Sequence, residues 1–203
     1  MNRDALNEGV QRLFALYERE PEHPLHVAWL AGQLAHGLES QVSVTEQDRQ
    51  LMNAAAKLHD IGWTVSGPEG SGHHKATARL IRQYDWKELD QLDIEQLAMV
   101  ARYHRKALPS LHHTDYAALG IPEQRRVRYL GGIVRLADAL DRRHLQKVRS
   151  LVVQIDASSV RILLKGTDDL EAEVKASYRK CDLMEQELGK RFEFLVGGLA
   201  EVW

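Results

Sequence analysis

The sequence has little cysteine, little proline, few aromatic residues and almost no net charge, and each scarcity removes a class of protein. One cysteine in 203 residues, Cys181, cannot close an intramolecular disulfide, so a disulfide-stapled scaffold is excluded and a reducing, cytoplasmic setting is expected. The opening segment MNRDALNEG lacks the basic, apolar and small-residue succession of a secretory signal. No uninterrupted apolar run approaches the ~18 residues of a membrane-crossing helix, so no membrane partner is expected. Five prolines and 14 glycines follow no repeating period, against collagen-like and low-complexity chains, and 44% apolar residues is too many for a disordered one. A formal charge of -2 does not favour a dedicated nucleic-acid binder.

What the sequence does have is histidine. Ten imidazoles supply groups that titrate near neutral pH and ligate metals, so their placement carries information. Charge is also uneven. Residues 102–149 hold eleven Arg or Lys against four Asp or Glu, a local balance of +7 that suits an anionic partner or a solvated helical face.

Apolar spacing predicts a helix from Asn2 to about Arg19, punctuated by Pro21 and Pro24, then a second carrying His26, Val27, Leu30, Ala31, Leu34 and Leu38 on one face. A third, carrying Leu51, Ala54, Ala55 and Leu58, delivers His59 and Asp60 near its end. The glycine-rich GWTVSGPEGSG reads as a loop without a Walker lysine, so it is no nucleotide cradle. Helices follow over HHKATARLIRQY, over Asp93 to about Arg105, and over the long IPEQRRVRYLGGIVRLADALDRRH, which Pro122 can open. The period then shortens. Ser150–Asp156 and Val160–Lys165 read as strands, Asp169–Leu188 as a helix and Phe192–Val196 as a strand. The expected architecture is mainly α, with a helical bundle over 1–149 and a small β-β-α-β C-terminal subdomain over 150–203.

Adjacent His59 and Asp60, with His26 on an earlier helix and Asp138 on a later one, offer two imidazoles and two carboxylates to one divalent ion. Such an ion can lower the pKa of a bound water, and Asp60 is a candidate to take the water proton. Lys75, Arg102, Arg105, Lys106, Arg135 and Arg142 lie beside these positions and are candidates to neutralise phosphate charge; Lys75, Arg105 and Arg135 are taken as catalytic. Cys181 has no matched cysteine or histidine partner and is not expected to be a nucleophile.

The succession of His26, KLHDIGW, GHHKA, ARYHRKALP and IVRLADALDR resembles the HD superfamily of metal-dependent phosphohydrolases, and most closely the C-terminal part of the exopolyphosphatase and guanosine-pentaphosphate phosphatase family. The likeness covers about residues 20–200. It implies an HD-domain helical bundle with core metal ligands at His26, His59, Asp60 and Asp138, and His73 and His104 as candidates for a second metal or for phosphate contacts, with His74 the competing register for His73. The family often reads His-His-Lys-His where this chain ends in Ala76, so one ligand or phosphate contact of that pattern is absent. The family's large N-terminal actin-like domains have no counterpart in these 203 residues, so only the domain-level likeness carries over.

The expected function is metal-dependent hydrolysis of a phosphate ester or phosphoanhydride in a nucleotide or related phosphorylated metabolite, with Mn, Mg, Fe, Zn or Ni as the cofactor. The alternatives are a catalytically weak or inactive regulatory module that binds a phosphorylated small molecule, and a structural oligomerisation fragment. Exposed strand edges leave a homodimer open.

Overall fold

The computed structural model describes residues 1–167 and 169–197, and the last six residues of the expected C-terminal subdomain lie outside that set. Six helices and two short 3-10 turns precede the long helix at the centre. They are α1 (Arg3–Tyr17), α2 (Glu22–Gly37), α3 (Glu46–Leu58), the 3-10 turns Ile61–Val65 and Pro68–Gly70, α4 (His73–Gln83), α5 (Gln91–Arg102) and α6 (Thr114–Ala117), and the long helix is α7 (Ile121–Leu140). Pro122 sits in the first turn of α7, where a missing N–H costs nothing. From Val127 to Leu140 almost every residue of α7 is buried, because α2, α3 and α5 surround it.

Polar side chains fix the helix starts. Asn2 caps α1 by accepting from the N–H groups of Asp4 and Ala5. Thr45 and Asp48 form a reciprocal capping box at the start of α3. Helix α2 begins earlier than the proline punctuation suggests. Pro24 lies within its first turn, where proline is tolerated, so the helix runs back through His23.

The chain then forms β1 (Val148–Ile155), β2 (Ser159–Gly166), α8 (Glu171–Lys180), α9 (Asp182–Leu188) and β3 (Arg191–Val196). The single helix expected over Asp169–Leu188 is two helices that break at Cys181. β2 is central, antiparallel to β1 and parallel to β3, and α8 and α9 supply the crossover that a parallel pair needs. Val160, Ile162 and Leu164 of β2 alternate inward, paired with Phe192 and Phe194 of β3, and continue the bundle's apolar core.

Polar clamps fix this segment to the bundle. Arg135 of α7 donates to both carboxylate oxygens of Asp182 at 2.8 and 3.0 Å. Arg143 donates to both oxygens of buried Glu173 at 3.0 and 2.6 Å. Gly132 lets α9 approach α7, since a Cβ there would meet the Met184 sulfur at 2.7 Å. The docking places the C-terminus of α8 against the end of α5.

Candidate metal centre

Four helix ends and the last turns of α7 converge. His59 follows α3, Asp60 follows it, His73 opens α4, and His104 lies just past α5. Each of the three histidines is locked in the same way. Nδ1 of His59 donates to the Ala56 carbonyl at 2.7 Å, Nδ1 of His73 to Gly70 at 3.0 Å, and Nδ1 of His104 to Ala101 at 2.6 Å. With the proton on Nδ1, the Nε2 lone pair of each ring points inward, which is the tautomer a metal ligand requires.

Besides the set His23, Asp60 and His144, two donor groups of buried histidines with a carboxylate result. In one, Nε2 of His73 and Nε2 of His104 lie 3.3 Å apart, at 3.0 and 3.5 Å from Asp60 Oδ1. In the other, Asp138 Oδ1 lies 3.5 Å from His23 Nε2 and 3.8 Å from His59 Nε2. Asp60 Oδ2 lies 3.5 Å from His59 Nε2, so the two oxygens of Asp60 face different groups and the carboxylate bridges them. Bonds of ~2.0–2.2 Å put neighbouring ligand atoms about 3.0–3.4 Å apart around an octahedral or tetrahedral ion, close to the separations found here. The donor set, imidazole with carboxylate, suits a divalent transition metal.

The strongest sign of fit is the unmade hydrogen bonds. His23 Nε2, His59 Nε2 and Asp60 Oδ1 are buried and have no hydrogen-bond partner among the described residues. Buried polar atoms left in this way cost about 1–3 kcal/mol each unless a ligand satisfies them. Behind them, Asp141 accepts from His23 Nδ1 at 2.9 Å and is itself held by Gln146, an outer carboxylate that orients the imidazole.

The electrostatics follow from this crowding. Burial alone would push the His23 imidazole down, but Asp138 and Asp141 outweigh it and push it up to about 9. For Asp60, burial favours the neutral acid, yet His59, His73 and His104 hold the carboxyl far below the usual range. Asp138 is likewise buried and is held ionised chiefly by the Lys180 ammonium and His23. His104 is driven far down by burial and by neighbouring His59.

The sequence expectations meet this geometry unevenly. His59, Asp60, Asp138, His73 and His104 come together. His26 does not join them. Its ring packs on Trp29 at a centroid distance of 5.3 Å, and His23, one turn earlier, occupies the place expected for it. The face that buries Val27 and Leu34 projects back to His23, a signal masked by the flanking prolines. Of the pair His73 and His74, it is His73 that lies with Asp60 and His104. His74 points into a neighbouring cavity with Lys75, Arg102, Tyr103, Lys106, Ala107 and His113, and burial pushes its pKa down to about 4.

Among the expected cations, Arg105 reaches the site, with Nη1 3.1 Å from His73 Nε2, and Lys106 and Arg142 line its mouth. Lys75 lies in the neighbouring cavity instead. Arg135 is turned away into its clamp on Asp182 and does not line the site's cavity. Asp60 is also a poor proton acceptor, because both oxygens face ligand groups and its carboxyl is strongly acidic.

Sequence reasoning missed His23, Asp141, His144, Arg179 and Lys180. Lys180 donates to the His104 carbonyl at 2.8 Å and to Asp138 Oδ2 at 3.2 Å, and only the docking of α8 brings it there. Cys181 is buried and its thiol is pushed up to about 12, chiefly by burial, which removes it as a nucleophile. No helix among the described residues is long and apolar enough to cross a membrane.

Residues 7–191 match the model of domain III of the Ppx/GppA phosphatases. The chain belongs to this family. A Ppx/GppA relative from Vibrio cholerae serotype O1 (strain ATCC 39541), named guanosine-5'-triphosphate,3'-diphosphate pyrophosphatase, is 29% identical over 137 residues, which are 67% of this chain and 26% of the relative. A protein of the same name from Vibrio campbellii is 30% identical over 128 residues, 63% of this chain and 24% of that protein. This domain III chain thus spans about a quarter of the length of these curated relatives.

Proposed function

We propose that this chain is a divalent-metal-dependent phosphohydrolase acting on a phosphorylated small molecule, with nucleotides the favoured class. The observation that carries this reading is the convergence of two donor groups, with His23 Nε2, His59 Nε2 and Asp60 Oδ1 buried and without a hydrogen-bond partner among the described residues, set beside a cationic cavity. His23, His59, Asp138 and Asp60 would hold one ion, and Asp60, His73 and His104 a second. Bound there, the metal supplies a Lewis acid for a phosphoryl oxygen and makes water a nucleophile near neutral pH.

The chain's own residues do the rest. The Nδ1 bonds to Ala56, Gly70 and Ala101 hold three imidazoles in one tautomer, so the site is preorganised. Asp60 keeps its proton off and positions, leaving proton removal to solvent or to substrate oxygens. Arg105 and Lys180 stand at the wall of a cavity of about 250 Å3 that also receives Lys106, Arg142 and Arg179, where positive charge meets a transferring phosphoryl group. The names of the Vibrio relatives describe pyrophosphatases of a guanosine polyphosphate, in keeping with a phosphoanhydride as the bond cleaved here.

The test is phosphate or pyrophosphate release from a panel of nucleotides and small phosphate esters with Mn, Mg, Fe, Zn or Ni. Turnover that needs metal and is lost in folded His59→Ala and Asp60→Ala supports the reading. Tight binding without turnover under every metal would instead make the chain a regulatory binding module.

A further inference from the structure

A second cavity, of about 420 Å3, adjoins the cationic one, and the two share Asp60, Trp63 and His144 as a common edge. The bridging carboxylate of the metal centre therefore stands where they meet. Their charge differs. Beyond the shared edge, the larger cavity is lined by Tyr17, Glu18, Arg19, Glu20, His23 and Thr64, two carboxylates against Arg19 and the His23 imidazole, whereas the smaller collects Arg105, Lys106, Arg142, Arg179 and Lys180. Lys106, Arg142 and Arg179 make no ion pair or side-chain hydrogen bond among the described residues, so their charge is free for a ligand.

The larger cavity has features suited to a base and sugar. Trp63 is held as a fixed wall. Its ring stacks on His73 at 4.7 Å and lies over Gly70, where a Cβ would come within 2.1 Å of it, yet 45% of the residue stays exposed. Glu18 spends Oε1 on the N–H groups of Arg19 and Glu20, at 2.8 Å each, while buried Oε2 has no partner. A lone carboxylate oxygen beside two aromatic side chains can accept from a base amino group or a ribose hydroxyl. The volume lies within the ~300–1,000 Å3 of ordinary small-molecule sites.

Resting on the phosphohydrolase reading, we infer that the substrate is a nucleoside triphosphate bound across the edge, nucleoside beside Tyr17, Glu18 and Trp63 and distal phosphates among the free cations. The α-phosphorus then sits at the metal centre. Water oxygen bonds to that phosphorus, and the bond to the α,β-bridging oxygen breaks. The electron pair leaves on the pyrophosphate, and the water proton passes to solvent. The products are nucleoside monophosphate and pyrophosphate, because the cations that stabilise a leaving anion lie on the distal side while Glu18 and Glu20 face the nucleoside side.

The test uses the full chain with Mn and three substrates, ATP, GTP and inorganic tripolyphosphate, with products resolved by phosphorus NMR. It also measures calorimetric binding of a nucleoside triphosphate that has methylene at the α,β-bridge. Nucleoside monophosphate and pyrophosphate are expected, and Tyr17→Ala and Glu18→Gln should each lower kcat/KM for nucleotide at least tenfold relative to tripolyphosphate and weaken analogue binding similarly. Orthophosphate, or nucleoside with tripolyphosphate, as the product overturns the placement. So does an equal loss on both substrates. Hydrolysis of other phosphate esters with no nucleotide discrimination overturns this inference alone. Analogue binding sensitive to Tyr17 and Glu18 but without turnover of anything overturns the hydrolase reading alone, and neither binding nor turnover overturns both.

Discussion

The Nε2 atoms of His73 and His104 face each other at 3.3 Å, with both Nδ1 atoms committed to backbone carbonyls. Helices α4 and α5 thus hold the two inward nitrogens together, with His73 Nε2 also 3.1 Å from Arg105 Nη1, and a cation between the rings would engage both. Histidine to asparagine at either position should weaken binding of the second ion by roughly 10-fold or more while leaving the fold intact, as read by metal titration alongside circular dichroism.

The exchange of His26 for His23 separates structure from sequence expectation. His23→Ala should lower metal affinity by about 10–100-fold, by removing a donor that Asp141 orients. His26→Ala, outside both donor groups, should change it by less than about 3-fold, well below the effect of losing a ligand. Metal titration of the two variants decides between the positions, and equal losses would reverse the assignment.

Arg135 contributes stability. Its guanidinium is nearly buried, and the bidentate bond to Asp182, itself 39% exposed, fastens α9 to α7. Arg135→Ala should lower unfolding free energy by about 2 kcal/mol in urea denaturation. The metal affinity of the folded variant should stay near that of the parent.

Gly70 fixes the wall of the cleft. Its φ of +67° suits glycine, and a Cβ would strike the Trp63 ring. Gly70→Ala should cost about 1–2 kcal/mol from backbone strain alone and displace the indole from His73. A change in tryptophan fluorescence together with a lower urea midpoint would show both effects.

Asp48 gives a pH signature far from the metal centre. Burial raises its pKa, but bonds from Thr45 and the Arg126 guanidinium outweigh this and hold it below the usual value. A depressed carboxyl contributes stability that is full above its unfolded pKa of 3.8 and is lost as pH falls through the lower folded value. Asp48→Asn should therefore cost about 1 kcal/mol at neutral pH and progressively less as the medium becomes acid enough to protonate the wild-type carboxyl. Urea midpoints of both proteins across that range check the convergence.

Much of the fold was readable because period and punctuation agreed. The spacing of Leu51, Ala54, Ala55 and Leu58 and of Val127, Leu130 and Val134 marks faces that α3 and α7 do bury, and Pro122 marks a helix start. His59, Asp60 and Asp138 were readable for the same reason, since they sit at the ends of those faces. His23 was not, because prolines on both sides resemble a break although a first helical turn admits them. Lys180 and Arg179 were not either. They lie far along the chain from the residues they meet, and only the packing of α8 and α9 against α7 and the turn after it, through Arg143 with Glu173 and Arg135 with Asp182, brings them to the cleft. Arg135 misled for the converse reason, because proximity in sequence to Asp138 says nothing about which side of α7 it faces.

The most direct test of the metal centre is anomalous diffraction from crystals of the chain loaded with Mn, recorded at the Mn absorption edge. The arrangement predicts anomalous density bounded by His23, His59 and Asp138, a second peak among Asp60, His73 and His104, and loss of both in Asp60→Ala. Manganese bound elsewhere, or no anomalous density within these groups, would contradict it.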